Sequence, residues 1–129
     1  MSKILVVDDE ARDLRIIELF LTELGKTPIL CQDPNKALTV LQQDKDIDLV
    51  LLDLQMPGLH GSELMQKIQQ HHFYIPVIIV SSDSTAASTV KLTKDGAEDY
   101  IWKPVDPERF KDVVKRRNGP IWTAAISAV

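Results

Sequence analysis

Cysteine is nearly missing from this chain of 129 residues: Cys31 stands alone, so no disulfide can form within it. That excludes the small, cross-linked secreted scaffolds. Cys31 itself reads as a small buried hydrophobe at the end of an edge strand rather than a redox thiol. No apolar stretch approaches the roughly 20 residues that cross a bilayer, which argues against a spanning helix and a membrane partner. Met1-Ser2-Lys3 leads straight into a strand-like run, leaving no room for the apolar segment of a secretory signal, so a cytoplasmic location is expected. Positive charge is in deficit, with 15 Lys and Arg against 19 Asp and Glu and a net charge of −4. Nucleic-acid affinity rests on phosphate neutralisation, so this balance argues against direct nucleic-acid binding. No glycine-rich phosphate loop follows a strand, and Asp8-Asp9-Glu10 stands where one would be. Those acids would repel a phosphate, which argues against a nucleotide or flavin binder. No cysteine lies near His60, His71 and His72 to complete a zinc spacing. Adjacent histidines do not share a helical face, so these read as an exposed helix end.

What the chain does have is a strand–helix alternation, repeated five times. Its 44% hydrophobic and 26% charged content is that of one globular domain with a proper core. Strands are predicted over about 3–8, 27–31, 49–53, 77–81 and 98–102. The second holds Pro28 and belongs at a sheet edge. The third and fourth are nearly continuous aliphatic runs, as in central parallel strands covered on both faces. Leu14, Ile17, Leu21 and Leu24 give a helical period over about 11–24, and Gly25 then stands where a helix is closed by a left-handed residue. Asp33-Pro34 opens the next helix, bearing Ala37, Leu38 and Leu41. A third follows Gly61-Ser62 and bears Leu64, Met65 and Ile68. A fourth, over about 85–95, is poor in helix formers and has Val90 and Leu92 as its larger anchors. Gly96 ends it, and Asp106-Pro107 opens a fifth that fades at Asn118-Gly119-Pro120. The pattern is α/β with a parallel sheet and right-handed crossovers. No further repeat, low-complexity tract or internal linker interrupts it.

Four of the strand-like runs end on chemically loaded residues: Asp8-Asp9, Asp53, Ser81 and Lys103. Parallel strands put their C-terminal ends on one edge of the sheet, where open α/β sheets bind ligands. Three carboxylates so gathered repel one another, and the single ammonium of Lys103 does not balance them. A hard divalent cation does, and Mg²⁺ suits a site of one or two carboxylates, waters and phosphate oxygens. A metal, a lysine and a hydroxyl together suit a phosphoryl group. Asp53, alone at the end of a central strand, is the candidate nucleophile for an acyl phosphate.

In those residues the chain resembles the receiver domain of two-component response regulators. The resemblance is carried by Asp8-Asp9 after an aliphatic strand, Asp53-Leu54-Gln55-Met56-Pro57-Gly58, and Ser81 after the run 77–80. It is completed by Gly96-Ala97-Glu98-Asp99-Tyr100-Ile101-Trp102-Lys103-Pro104. It covers residues 3 to about 117 in order and spacing. It implies a doubly wound, flavodoxin-like sheet of five parallel strands in the order 2-1-3-4-5, with helices on both faces. It implies Asp53 as phosphoacceptor, and Mg²⁺ held by Asp9, Asp53 and the backbone carbonyl of Gln55, with Asp8 acting through water. By the same resemblance Lys103 pairs with the phosphoryl oxygens, Ser81 donates a hydrogen bond to them, and Tyr100 turns inward as Ser81 shifts. Gln55 and Asp83 match the positions that tune phosphoryl lifetime, and Lys103–Pro104 is expected to be cis. The donor would be a histidine kinase or a phosphotransfer protein.

The implied function is a phosphorylation-dependent signalling switch, not an enzyme acting on a free substrate. It would alter the surface formed by the helix over 85–95, the last strand and the last helix, through which a homodimer, an output domain or a partner protein would be engaged. One alternative is a receiver-like binding module that works without phosphorylation. Another is an aspartate-nucleophile phosphohydrolase, which usually carries a second Asp two residues past its nucleophile; Gln55 stands there and cannot act as a general acid. Residues 1–117 are expected to be the receiver. Residues 118–129 form a tail, uncharged over 121–129, with three readings open: packing on the domain, a linker to an output domain, or a dimer contact. Lys111, Lys115, Arg116 and Arg117 read either as a solvated helix end or as a partner-binding patch.

Overall fold

The computed structural model describes residues 2–54, 61–72, 75–82 and 96–117. Its strands are β1 (Lys3–Val7), β2 (Thr27–Cys31), β3 (Ile47–Leu52), β4 (Val77–Ser81) and β5 (Asp99–Trp102). Its helices, among the described residues, are α1 (Ala11–Glu23), α2 (Ala37–Gln43), α3 (Gly61–His72) and α4 (Pro107–Arg117). The five strands form one parallel sheet in the order β2-β1-β3-β4-β5. This is the doubly wound, flavodoxin-like arrangement. The helix expected over 85–95 and the tail 118–129 lie outside the described residues.

Alternation along each strand divides the core into two. Leu5 and Val7 of β1, Val50 and Leu52 of β3, and Val77 and Ile79 of β4 join Leu41, Leu64, Met65 and Ile68 from α2 and α3. The intervening residues Ile4, Val6, Leu49, Leu51, Ile78 and Val80 join Leu14, Ile17 and Leu21 of α1 and Phe110, Val113 and Val114 of α4. Side chains that point alternately up and down must therefore all be apolar, which is why the central strands read as unbroken aliphatic runs. β2 lies at the edge, with Pro28 in it and Leu30 exposed, where a residue lacking an N–H does the ladder least harm.

Local chemistry sets the element ends. Gly25 adopts φ +75°, its N–H donates to the Thr22 carbonyl at 3.0 Å, and Lys26 N–H donates to Leu21 at 3.0 Å. This double closure satisfies carbonyls that α1 would leave unpaired. The start of α2 differs from expectation: residues Pro34–Lys36 form a 3₁₀ turn before the helix. The Asp33 carboxylate accepts from Asn35 N–H at 3.0 Å, and Lys36 N–H donates to Asp33 O at 3.0 Å, which tightens the first turn. α3 takes in Gly61 and Ser62 rather than following them. β3 begins two residues earlier than the aliphatic run suggests, because Ile47 is buried while Asp48 is skipped in the pairing with β1 and points outward.

α1 and α4 meet through Phe20 and Phe110, whose ring centroids lie 5.5 Å apart. Phe110 is fully buried. Phe110→Ala is expected to lower unfolding stability by about 3–5 kcal/mol through lost burial and the cavity left behind. Urea denaturation checks this; a loss below about 1 kcal/mol would show that the α1–α4 layer repacks freely. Among the described residues no helix is long and apolar enough to cross a membrane.

Candidate functional site

The sheet ladder runs one residue past the strands and fixes the groups that follow them. Asp8 N–H donates to Cys31 O at 3.1 Å, Asp53 N–H to Val7 O at 2.9 Å, and Lys103 N–H to Ser81 O at 2.9 Å. Asp8 and Asp53 are thereby held as buried carboxylates, 1% and 4% exposed. One carboxylate oxygen from each of Asp8, Asp9 and Asp53 lies within 4.8 Å of the others.

Lys103 reaches into this cluster across most of the chain. Its Nζ lies 2.7 Å from Asp8 Oδ2, 2.8 Å from Asp13 Oδ2 and 3.4 Å from Asp53 Oδ2. The Lys103–Pro104 peptide bond is cis. Burial alone would lower the Lys103 ammonium; the hydrogen bonds it donates to Asp13 and Asp8 and the charge of Asp53 overcome it and hold the ammonium above its usual value. Asp8 is raised too, which for an acid disfavours the charged form. Desolvation pushes it up to about 6, with Asp53 adding to the rise, against the lowering effect of Lys103 and of Glu10 N–H, which donates to Asp8 Oδ1 at 2.9 Å.

Carboxylates outnumber the ammonium here, and Asp9 Oδ1 is buried with no hydrogen-bond partner among the described residues. Crowded acids and an unsatisfied buried oxygen are what a hard divalent cation with oxygen ligands relieves, so the residues fit such an ion. A cleft of about 430 Å³ opens beside them, lined by Glu10, Asp13, Asp53, Ser82, Lys103 and Pro104.

The remaining sequence-predicted residues fall as follows. Ser81 is fully buried at the end of β4, paired in register with Trp102. Tyr100 is buried among the residues beneath α2 and α3, its ring 6.0 Å from that of Trp102. Gln55, Asp83 and His60 lie outside the described residues. Cys31 is buried, its thiol donates to Asp33 O at 3.0 Å, and burial pushes that thiol up. His71 is exposed on the last turn of α3. Of the basic cluster, Lys111 pairs with Glu23 at 2.8 Å and Arg116 with Asp112 at 3.6 Å, both within the domain. Sequence reasoning missed Asp13 and Ser82, and had Glu10 only as an acid that would repel a phosphate. Asp13 carried no motif; it is an acid in the first turn of α1, where a favourable macrodipole interaction is explanation enough.

A five-stranded, doubly wound sheet with an acidic cluster and a lysine at its C-terminal edge defines a class, and comparison with known proteins makes it specific. The model of the response regulator receiver domain family matches residues 4–115. The chain is similar to the two-component response regulator ARR14 of Arabidopsis thaliana, 38% identical over 112 residues, which are 86% of this chain and 29% of that one. It is also similar to a chemotaxis protein CheY homolog of Campylobacter jejuni, 33% identical over 113 residues, 85% of this chain and 87% of that one. Among solved structures it resembles a response regulator receiver domain protein from Clostridium thermocellum, with TM-score 0.84 and 26% identity over 91% of this chain and 94% of that one. The chain belongs to the response regulator receiver domain family, a signalling domain of two-component systems.

Proposed function

We propose that this domain accepts a phosphoryl group on Asp53 from a histidine kinase or phosphotransfer protein and acts as a phosphorylation-dependent switch. The observation that carries this reading is the convergence of the Lys103 ammonium on the buried carboxylates of Asp8 and Asp53, 2.7 and 3.4 Å away. Asp53 Oδ attacks phosphorus, the P–O or P–N bond to the donor breaks, and the leaving group departs with the bonding electron pair. Lys103, already charged, stabilises the negative charge that gathers on the equatorial oxygens. Asp8 and Asp9, with Asp53, would hold Mg²⁺, which when bound neutralises the acids and the phosphoryl oxygens. Ser81 would then move to donate to the phosphoryl group and Tyr100 to follow it. That movement biases the surface to which β5 and α4 contribute.

Residues 1–117 are read as the receiver, and the output is assigned to a partner protein, a second copy, or a domain beyond it. The chain spans 29% of ARR14 and 87% of the CheY homolog, so relatives of both lengths leave an attached and a stand-alone output open. Gln55 and Asp83 are assigned to the tuning of phosphoryl lifetime.

The test is intact-mass spectrometry after incubation with Mg²⁺ and a small acyl phosphate. Gain of one phosphoryl group, lost when a chelator is added, is expected. A folded protein that gains nothing from that donor or from any histidine kinase in a panel would overturn the reading in favour of a phosphorylation-independent binding module.

A further inference from the structure

Asp13 does not belong to the set of acids that the strand ends present. It comes from the first turn of α1, with its side chain 30% exposed, and it faces the cleft that Asp53 and Lys103 also line. A helix-start acid needs no tertiary partner, yet this one holds an ammonium 90 residues away at 2.8 Å. An ammonium has three donors. Here the two short contacts go to Asp8 and Asp13, and the long one, 3.4 Å, goes to Asp53. The lysine needed at the phosphoryl group is thus drawn toward α1 and away from the acceptor.

We infer that Asp13 is a positioning residue: it retains the Lys103 ammonium beside α1 in the unmodified domain and so restrains the rate at which Asp53 takes up a phosphoryl group. This rests on the reading of Asp53 as acceptor. For Lys103 to meet the phosphoryl oxygens it must lengthen one short contact. Asp8 is almost fully buried, whereas Asp13 is partly solvated, so the Asp13 contact is the one that yields. Breaking it is part of the barrier to uptake.

The test compares wild type, Asp13→Asn and Asp13→Glu, with Asp53→Asn as a control, in two measurements. In the first, uptake from a small acyl phosphate is followed against donor concentration. Asp13→Asn is expected to raise the limiting rate by about threefold to fivefold, the worth of one partly exposed ion pair. Asp13→Glu should bring it back toward wild type. A change confined to the donor concentration at half-maximal rate would mean only reduced repulsion of an anionic donor, and would overturn the proposal. So would an unchanged or slower limiting rate. The second measurement needs no phosphorylation: NMR of the Lys103 ¹⁵Nζ group, whose protons should exchange with water several-fold faster in Asp13→Asn. Unchanged exchange would overturn retention directly. Loss of uptake in wild type itself would remove the acceptor reading, and with it any restraint on uptake, while the NMR result alone decides whether Asp13 holds the ammonium.

Discussion

Asp53→Asn is expected to lose phosphoryl uptake by more than about 100-fold while keeping the parent fold, because an amide offers no anionic oxygen to form an acyl phosphate. The substitution is nearly isosteric. The Asp53 N–H that bonds Val7 O at 2.9 Å belongs to the backbone and survives it. Lys103 keeps its two shorter contacts, at 2.7 and 2.8 Å, so no buried ammonium is stranded. Exchange of a buried acid for an amide also eases repulsion within the cluster, so the thermal midpoint should hold or rise. Mass spectrometry with hydroxylamine treatment, which cleaves acyl phosphates, reads the first part and a thermal melt reads the second. A hydroxylamine-sensitive phosphoryl group on the variant would sink the assignment of Asp53.

Asp8→Asn is expected to stabilise the metal-free domain at neutral pH. Asp8 rises from its usual 3.8 to about 6 in the folded chain, mainly through desolvation. The folded state therefore binds that proton more tightly than the unfolded state does. The stability is present in full below about pH 4 and is lost as pH climbs toward 6. A rise of that size is worth about 3 kcal/mol at pH 7, or about 10 °C in thermal midpoint for a domain of this size. An amide carries no such dependence, so in chelator the gap between variant and wild type should open from pH 4 to 6 and stay level above. Taking the difference between the two proteins removes Asp44, whose carboxyl the hydrogen bond from Lys3 holds below its usual value. Added Mg²⁺ at millimolar concentration should narrow the gap by stabilising the wild type more. A variant less stable than wild type in chelator at pH 7, or a gap indifferent to pH, would show that Lys103 fully compensates Asp8.

The sheet was legible because each central strand faces two helical layers, leaving unbroken aliphatic runs such as 49–52 that no half-exposed strand would keep. The turn at Gly25 was legible because a left-handed residue there closes a helix. The first pairing of β3 was hidden: Ile47 belongs to the core, but the outward Asp48 separates it from the run that signals the strand. Asp8, Asp9, Asp53 and Lys103 could be grouped from sequence because topology alone delivers strand ends to one edge. Asp13 could not. Its meeting with Lys103 depends on how α1 is seated on the sheet, and helical periodicity tells which face is buried but not which distant cation its first turn will meet.

The contacts of Lys103 span 95, 90 and 50 residues of chain. Such separations make the pocket a product of the whole topology, since closing loops of that length precedes any reward from the groups they join. β1 and β3 must be paired before Asp8 and Asp53 stand together, and β5 must dock on β4 before Lys103 arrives. A nascent or locally opened chain that lacks its last strand has the acids without their ammonium. In the proposed switch, a chain with β5 detached would therefore keep its acceptor and lose the cation that serves it.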